Sequence, residues 1–153
     1  MPGIVDIDVI GLKEKQANLD KIAQDLRGAP MVQAMRDATM LVTGDARRLA
    51  PVDTGRLRAS IMPEVKSMNN EIMGIVGSNV VYAPYMELGT RAHWAPPGAL
   101  ALWARRHGVS EFVIRRAIAM RGTKARKFLQ GGFEKNKIEI VRRIEQAVGD
   151  IIR

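Results

Sequence analysis

The chain contains no cysteine, which removes disulfide staples, thiolate nucleophiles and cysteine-based zinc or iron–sulfur sites together. It has no apolar run near the roughly 20 residues needed to span a bilayer, so no membrane partner is expected. The start, Met1-Pro2-Gly3-Ile4-Val5-Asp6-Ile7-Asp8, lacks the basic beginning and apolar centre of a secretion signal. Assembly in the cytoplasm is the expectation.

Catalytic chemistry is equally short of material. His93 and His107 are the only histidines, and a proline-containing loop and a helix separate them, not the helical four-residue step that brings two ligands to one metal. No Gly-x-Ser-x-Gly turn is present, and Ser60, Ser67, Ser78 and Ser110 have no acid–base partner beside them in sequence. Gly89-Thr90 and Gly122-Thr123-Lys124 lack the spacing and order of a phosphate-binding loop. Glu87 stands alone as a carboxylate in its loop and is expected to pair with Arg91. No enzyme activity, cofactor or metal ion is therefore expected.

What is present suits an ordered protein. At 153 residues, with 46% hydrophobic and 26% charged side chains, the chain can bury a single core. Its net charge of +8 is unevenly placed. Residues 1–90 carry ten Lys/Arg against eleven Asp/Glu, whereas residues 91–153 carry fourteen against five. Such asymmetry points to an acidic partner surface, to nucleic acid, or to a merely solvated basic face.

Periodicity orders the elements. Val5, Ile7 and Val9 alternate with aspartates, as in a short strand. Leu12, Leu19, Ile22 and Leu26 make an amphipathic helix ended by Gly28 and Pro30. Met31, Ala34, Met35, Ala38, Leu41, Val42 and Leu49 form the stripe of a second helix that Pro51 stops, and Gly44 inside it calls for a close helix contact or a bend. Arg56 to Val65 alternates like a strand, and Glu71 to Ser78 gives its hairpin partner across Ser67-Met68-Asn69-Asn70. Val80 to Pro97, broken by Pro84, Gly89, Pro96 and Pro97, reads as a long loop. Two short helices, Ala99 to Arg106 and Glu111 to Met120, follow with Ser110 as N-cap. A last helix from about Phe133 to Ile152 carries Phe133, Lys137, Ile140, Val141, Ile144, Val148 and Ile151 on one stripe. The predicted architecture is α+β: a small antiparallel sheet, made of the hairpin and the N-terminal strand, packed against helices with a long C-terminal amphipathic helix.

Two features ask for more than packing. Leu102 to Ile118 resembles a helix–turn–helix, with small Ala104, a turn at Gly108, and Val109 and Ile114 where packing residues belong. Arg115 and Arg116 would then face phosphate, and the chain would be a small DNA-binding regulator. His107, however, occupies a position such motifs fill with an apolar residue.

The second feature is a set of phrases: Ala50-Pro51-Val52-Asp53-Thr54-Gly55-Arg56-Leu57-Arg58-Ala59-Ser60-Ile61, then Tyr82-Ala83-Pro84-Tyr85-Met86-Glu87-Leu88-Gly89-Thr90, then Gly122-Thr123-Lys124-Ala125-Arg126-Lys127-Phe128-Leu129. Each is punctuation: Pro51 ends a helix, Gly55 permits a turn, and Asp53 and Thr54 serve as local backbone acceptors. The tyrosines and Leu88 give their segment apolar bodies with polar tips, which suits a subunit interface. In this order the phrases resemble the gene-product-ten-like family of lambdoid siphophages, minor tail, neck or tail-completion proteins. The resemblance covers most of the chain, from the second helix to the last. Arg91 to Arg121 departs from the shorter members by a Trp-Ala-Pro-Pro stretch and the two-helix unit, so the chain reads as one domain with an insert at about 96–121.

The resemblance implies a structural virion protein without catalysis. Copies would close into a homo-oligomeric ring at the head–tail junction or tail end, beside other phage neck, tail-terminator or tail-tube proteins. A ring interface joins two different, complementary surfaces, and the near-neutral and basic halves supply such a pair. Tyr82, Tyr85, Met86, Glu87, Leu88 and Trp94 are the candidate interface, against the alternative that they pack on their own sheet. Arg105, Arg106, Arg115, Arg116, Arg121, Lys124, Arg126 and Lys127 are candidates for non-specific contact with DNA in a channel, or with an acidic partner.

Overall fold

The computed structural model describes residues 12–69 and 71–153; the N-terminal strand expected at Val5 to Val9 lies outside them. The described elements are α1 (Leu12–Asp25), α2 (Ala29–Leu49), α3 (Arg56–Ser60), β1 (Ile61–Met68), β2 (Glu71–Ser78), α4 (Ala83–Leu88), α5 (Ala101–Arg106), α6 (Glu111–Arg121) and α7 (Phe128–Ile152). The class is α+β: a two-stranded antiparallel sheet packed on helices, with a long C-terminal helix.

Helix α2 is the centre of the fold and touches α1, α3, both strands and α7. Its first turn contains Pro30, where the missing N–H costs nothing, and its last turn carries Arg47 and Arg48 against the negative end of the helix dipole. Ala34, Ala38, Val42, Ala46 and Ala50 are buried. They follow one another at steps of four, so they form a low ridge along one side of the helix. Larger members of the expected stripe lie higher: Leu49 is exposed and Met31, Met35 and Leu41 are half-buried.

That ridge allows α7 to approach closely, and the glycine that exploits it is not the one expected. Gly44 has no neighbouring atom within 4 Å of a would-be Cβ, so it makes no close helix contact. Gly132 on α7 makes the contact: a Cβ there would sit 2.8 Å from the Ala46 amide nitrogen and 3.0 Å from the Val42 carbonyl oxygen. On the hairpin, Gly74 does the same against α2, where a Cβ would lie 2.6 Å from Thr39 Cγ2.

The strand expected from Arg56 begins five residues late, at Ile61. Gly55, at φ +80°, reverses the chain, and the Ala59 amide then donates to the Gly55 carbonyl at 2.9 Å, closing a helical turn. Leu57 and Ile61 reach the core four residues apart while Ala59 stays exposed, a helical spacing that the alternating pattern concealed. Arg47 fixes the junction by donating Nε and Nη2 to the Ile61 carbonyl at 3.0 and 2.7 Å. At the hairpin base the Ser60 and Ser78 hydroxyls lie 2.7 Å apart, and Ser60 also donates to the Leu57 carbonyl.

Strands β1 and β2 pair from Ile61↔Ser78 to Met68↔Glu71. The reversal therefore takes two residues, not the four from Ser67 to Asn70, with Asn69 at φ +50°, a conformation asparagine tolerates. The inner face carries Ile61, Gly74 and Val76 towards α2. Opposite residues share a face, so Met62, Met68 and Met73 lie together on the outer face, all exposed. The core itself is small: Ala46, Ala50, Leu57, Ile61, Val80, Ala83 and Phe128, with Val76, Met86 and Leu129 packed against it.

Candidate assembly surface

The expected loop from Val80 to Pro97 contains a helix. The Ser78 hydroxyl accepts the Val80 amide at 3.1 Å, the buried Val80 accepts the Ala83 amide at 2.9 Å, and Pro84 sits in the first turn of α4. Proline that breaks a helix interior is compatible with a helix start, so Pro84 marks α4's beginning. Along α4, Ala83 is buried and Met86 packs on the core, while Tyr82, Tyr85 and Leu88 are exposed.

Glu87 is spent inside the fold. Its two carboxylate oxygens accept the amides of Leu129 and Gln130 at 2.8 and 2.9 Å. These are free donors in the first turn of α7, and a carboxylate there also meets the positive end of the helix dipole. The expected pairing with Arg91 is thus replaced by a helix cap supplied from a distant segment. Main-chain bonds reinforce it: Arg126 and Lys127 donate their amides to the Met86 and Glu87 carbonyls at 2.8 and 3.1 Å. Because Lys127 turns the chain at φ +49°, α7 begins at Phe128, five residues before the expected Phe133. Phe128 is fully buried, whereas Phe133, Lys137 and Val141 of the expected stripe are exposed.

The seam continues at Thr90 and Thr123, which exchange amide–carbonyl bonds of 3.1 and 3.2 Å and place their hydroxyls 3.0 Å apart. Gly89 and Gly122 flank it at φ +71° and +70°. A side chain on Gly89 would meet the Ala125 amide nitrogen at 2.7 Å. The second and third sequence phrases are therefore two sides of one structure. Of the six interface candidates, Tyr82, Tyr85, Leu88 and Trp94 present exposed apolar bodies, and Met86 and Glu87 hold the seam.

Residues 91–121 leave this seam and return to it. Helices α5 and α6 occur within a residue or two of expectation and pack against each other. Ala104 is buried and Gly108 turns at φ +64°. Ser110 occupies the N-cap position, but its hydroxyl makes no cap bond. His107 stacks on Trp103 with ring centroids 4.0 Å apart, a surface role for the residue that fits a helix–turn–helix poorly.

The basic candidates divide. Arg106 forms an ion pair with Asp53, its Nε donating to Oδ1 at 3.1 Å, which ties α5 to the first phrase. Arg115 donates Nε to the Ala95 carbonyl at 2.8 Å and lies over Trp94, 5.8 Å from the ring centroid. Arg105, Arg116, Arg121, Lys124, Arg126 and Lys127 are exposed and, among the described residues, meet no carboxylate. The backbone bonds from Arg126 and Lys127 place this basic segment directly beside α4 and its exposed apolar side chains.

Sequence reasoning missed Asp45. Buried on α2, it accepts Lys135 Nζ and Asn136 Nδ2 at 2.8 Å each and Arg48 Nη1 at 3.1 Å. Hydrogen bonds from Lys135 and Asn136, with nearby positive charge, hold its pKa down at about 2. Glu139 is lowered to about 2 as well, by hydrogen bonds from Arg142 and Arg143. Asp45 locks α7 onto α2; its polarity inside an apolar stripe was the available signal. The exposed methionines of the hairpin were also missed, and strand alternation contained them.

Among the described residues no group of three His, Asp or Glu side chains stands together as metal ligands, and no helix is long and apolar enough to cross a membrane. His93 Nδ1 lies 2.9 Å from the Arg91 carbonyl and His107 Nδ1 2.9 Å from the Trp103 carbonyl, so each engages its own backbone.

Residues 13–89, just over half of the chain, match the family model described as "Bacteriophage HK97-gp10, putative tail-component". Among curated proteins and among solved structures, nothing matches.

Proposed function

This chain belongs to the HK97-gp10-like family of bacteriophage tail components, and on that premise we propose that it forms a ring at the head–tail junction or tail end and acts in tail completion. The chain works there as one domain, with residues 96–121 as an insert. The carrying observation is apolar surface without cover. Tyr85, Leu88, Trp94 and Phe112 are among the uncovered side chains, and isolated soluble monomers seldom leave so many.

Subunits in a ring meet head to tail, so two unlike surfaces must fit. The basic half of one subunit supplies one and the near-neutral half of its neighbour the other, with the exposed face of α4 and Trp94 at their junction. The basic side chains that meet no carboxylate among the described residues then face DNA phosphates in the channel, or acidic surfaces of adjoining rings, with sequence-independent and salt-sensitive affinity. No bond is made or broken in this role.

Light scattering on the purified protein, alone and with its cognate tail tube or portal assembly, tests the proposal. A defined ring that appears with those partners supports it, and Tyr85→Ser with Leu88→Ser should abolish the ring while the monomer stays folded. A stable dimer indifferent to the partners would favour the DNA-binding regulator instead.

A further inference from the structure

The two-helix unit has a composition that its own packing does not explain. Residues 91–121 hold six arginines, no lysine and one carboxylate, together with both tryptophans of the chain. Helix α6 buries no residue completely. Ile114, Ala117 and Ile118 are half-buried on one side, while Phe112 is 60% exposed, Val113 61% and Met120 68%. Phe112, Arg116 and Met120 follow at steps of four, so they line one face, with Val113 beside Phe112.

We propose that this face of α6 docks into an apolar groove, rimmed by carboxylates, on another protein of the tail or neck. Three observations separate this partner from nucleic acid. Arg115 is already bound to the Ala95 carbonyl and Trp94, and Arg106 to Asp53, so two of the unit's six arginines are partly spent. The face itself alternates large apolar side chains with a single cation, Arg116. Phosphate contacts reward cations and leave apolar bulk in water, whereas a protein groove desolvates Phe112, Val113 and Met120 and pairs Arg116 at its rim. Aromatic, methionine and arginine side chains without lysine are also the make-up of protein interface centres. The net charge of the unit, six arginines against Glu111, selects an acidic counterpart and speeds encounter with it.

The proposal rests on the tail reading, and the experiment separates the two. Tail assemblies purified from a phage lacking this gene serve as the probe, with the full-length chain titrated onto them and bound protein measured by sedimentation. Phe112→Ser with Val113→Ser is expected to weaken binding about tenfold or more, and Arg116→Glu to weaken it and reduce its salt dependence. Circular dichroism of the same variants should match the parent chain, because these side chains are exposed. Parent protein that does not bind the assemblies overturns the tail reading and the docking with it. Parent protein that binds, with variants that bind equally well, overturns the docking alone. Loss of affinity for a short DNA duplex, with tail binding intact, assigns the face to nucleic acid and also overturns it.

Discussion

Replacing Gly132 with alanine should loosen the contact around which the fold is arranged. The new methyl carbon would stand 2.8 Å from the Ala46 amide nitrogen, 3.0 Å from the Val42 carbonyl oxygen and 3.1 Å from the Ala46 Cα, where ordinary contact begins at 3.4 Å. All three are backbone atoms of α2, so no rotamer change relieves the clash and the helices must separate. Overpacking of this kind costs about 1–3 kcal/mol, while alanine returns about 1 kcal/mol of helix propensity. Gly44→Ala provides the matched control, since the same propensity is gained with no atom within 4 Å. It should stabilise by up to about 1 kcal/mol, and the difference between the two variants, about 1–3 kcal/mol, isolates the contact. Urea unfolding followed by far-ultraviolet circular dichroism reads this directly, provided the slope is unchanged. In thermal unfolding each kcal/mol corresponds to about 2–4 °C for a chain of this size. Gly132→Ala unfolding at the same urea concentration as Gly44→Ala, or a higher one, would refute the close crossing.

Two further outcomes follow from the polar contacts. Glu87→Ala should remove both acceptors from the start of α7 and cost about 0.5–2 kcal/mol, with faster hydrogen exchange at the Leu129 and Gln130 amides; Gln at the same position should keep part of the protection. Asp45, depressed to about 2 from 3.8, contributes stability that is fully present above its ordinary value and is lost as pH falls through about 2. Urea midpoints measured down that range should fall more steeply for the parent chain than for Asp45→Asn, and parallel curves would contradict the assignment.

The elements that the sequence made legible are those whose signal is local. The stripe of α2, the pair β1 and β2, and the positions of α5 and α6 all followed from periodicity or from turn residues. Some errors have local causes, such as Pro84 starting α4 where a break was read, and the others come from a partner far away in sequence. Leu57 and Ile61 alternate like strand residues, yet Gly55 and the core place them one helical turn apart. The start of α7 was hidden because Glu87, more than forty positions earlier, supplies the cap that its own first residues lack. Glycine marked a close approach, but periodicity could not say whether Gly44 or Gly132 made it, since that depends on which faces meet. Of the candidate site, exposure at Tyr82, Tyr85, Leu88 and Trp94 was legible as amphipathic residues in a broken segment. The inward roles of Met86 and Glu87 were not.

The paired threonines have a consequence for how the chain can change. Thr90 and Thr123 are neighbours through two backbone bonds, so the thirty-two residues between them begin and end at one point. The seam holds both ends of that excursion, and bonds such as the His93 amide to the Ile118 carbonyl tie its arms together just beyond it. Lengthening or shortening a chain between fixed anchors costs only about 0.6 kcal/mol per doubling. A lineage could therefore exchange the whole excursion for a short turn, or for a differently shaped one, while α4 and α7 stay in register. Partner choice would then vary by substitution of a module, and the surrounding core would have no need to be redesigned.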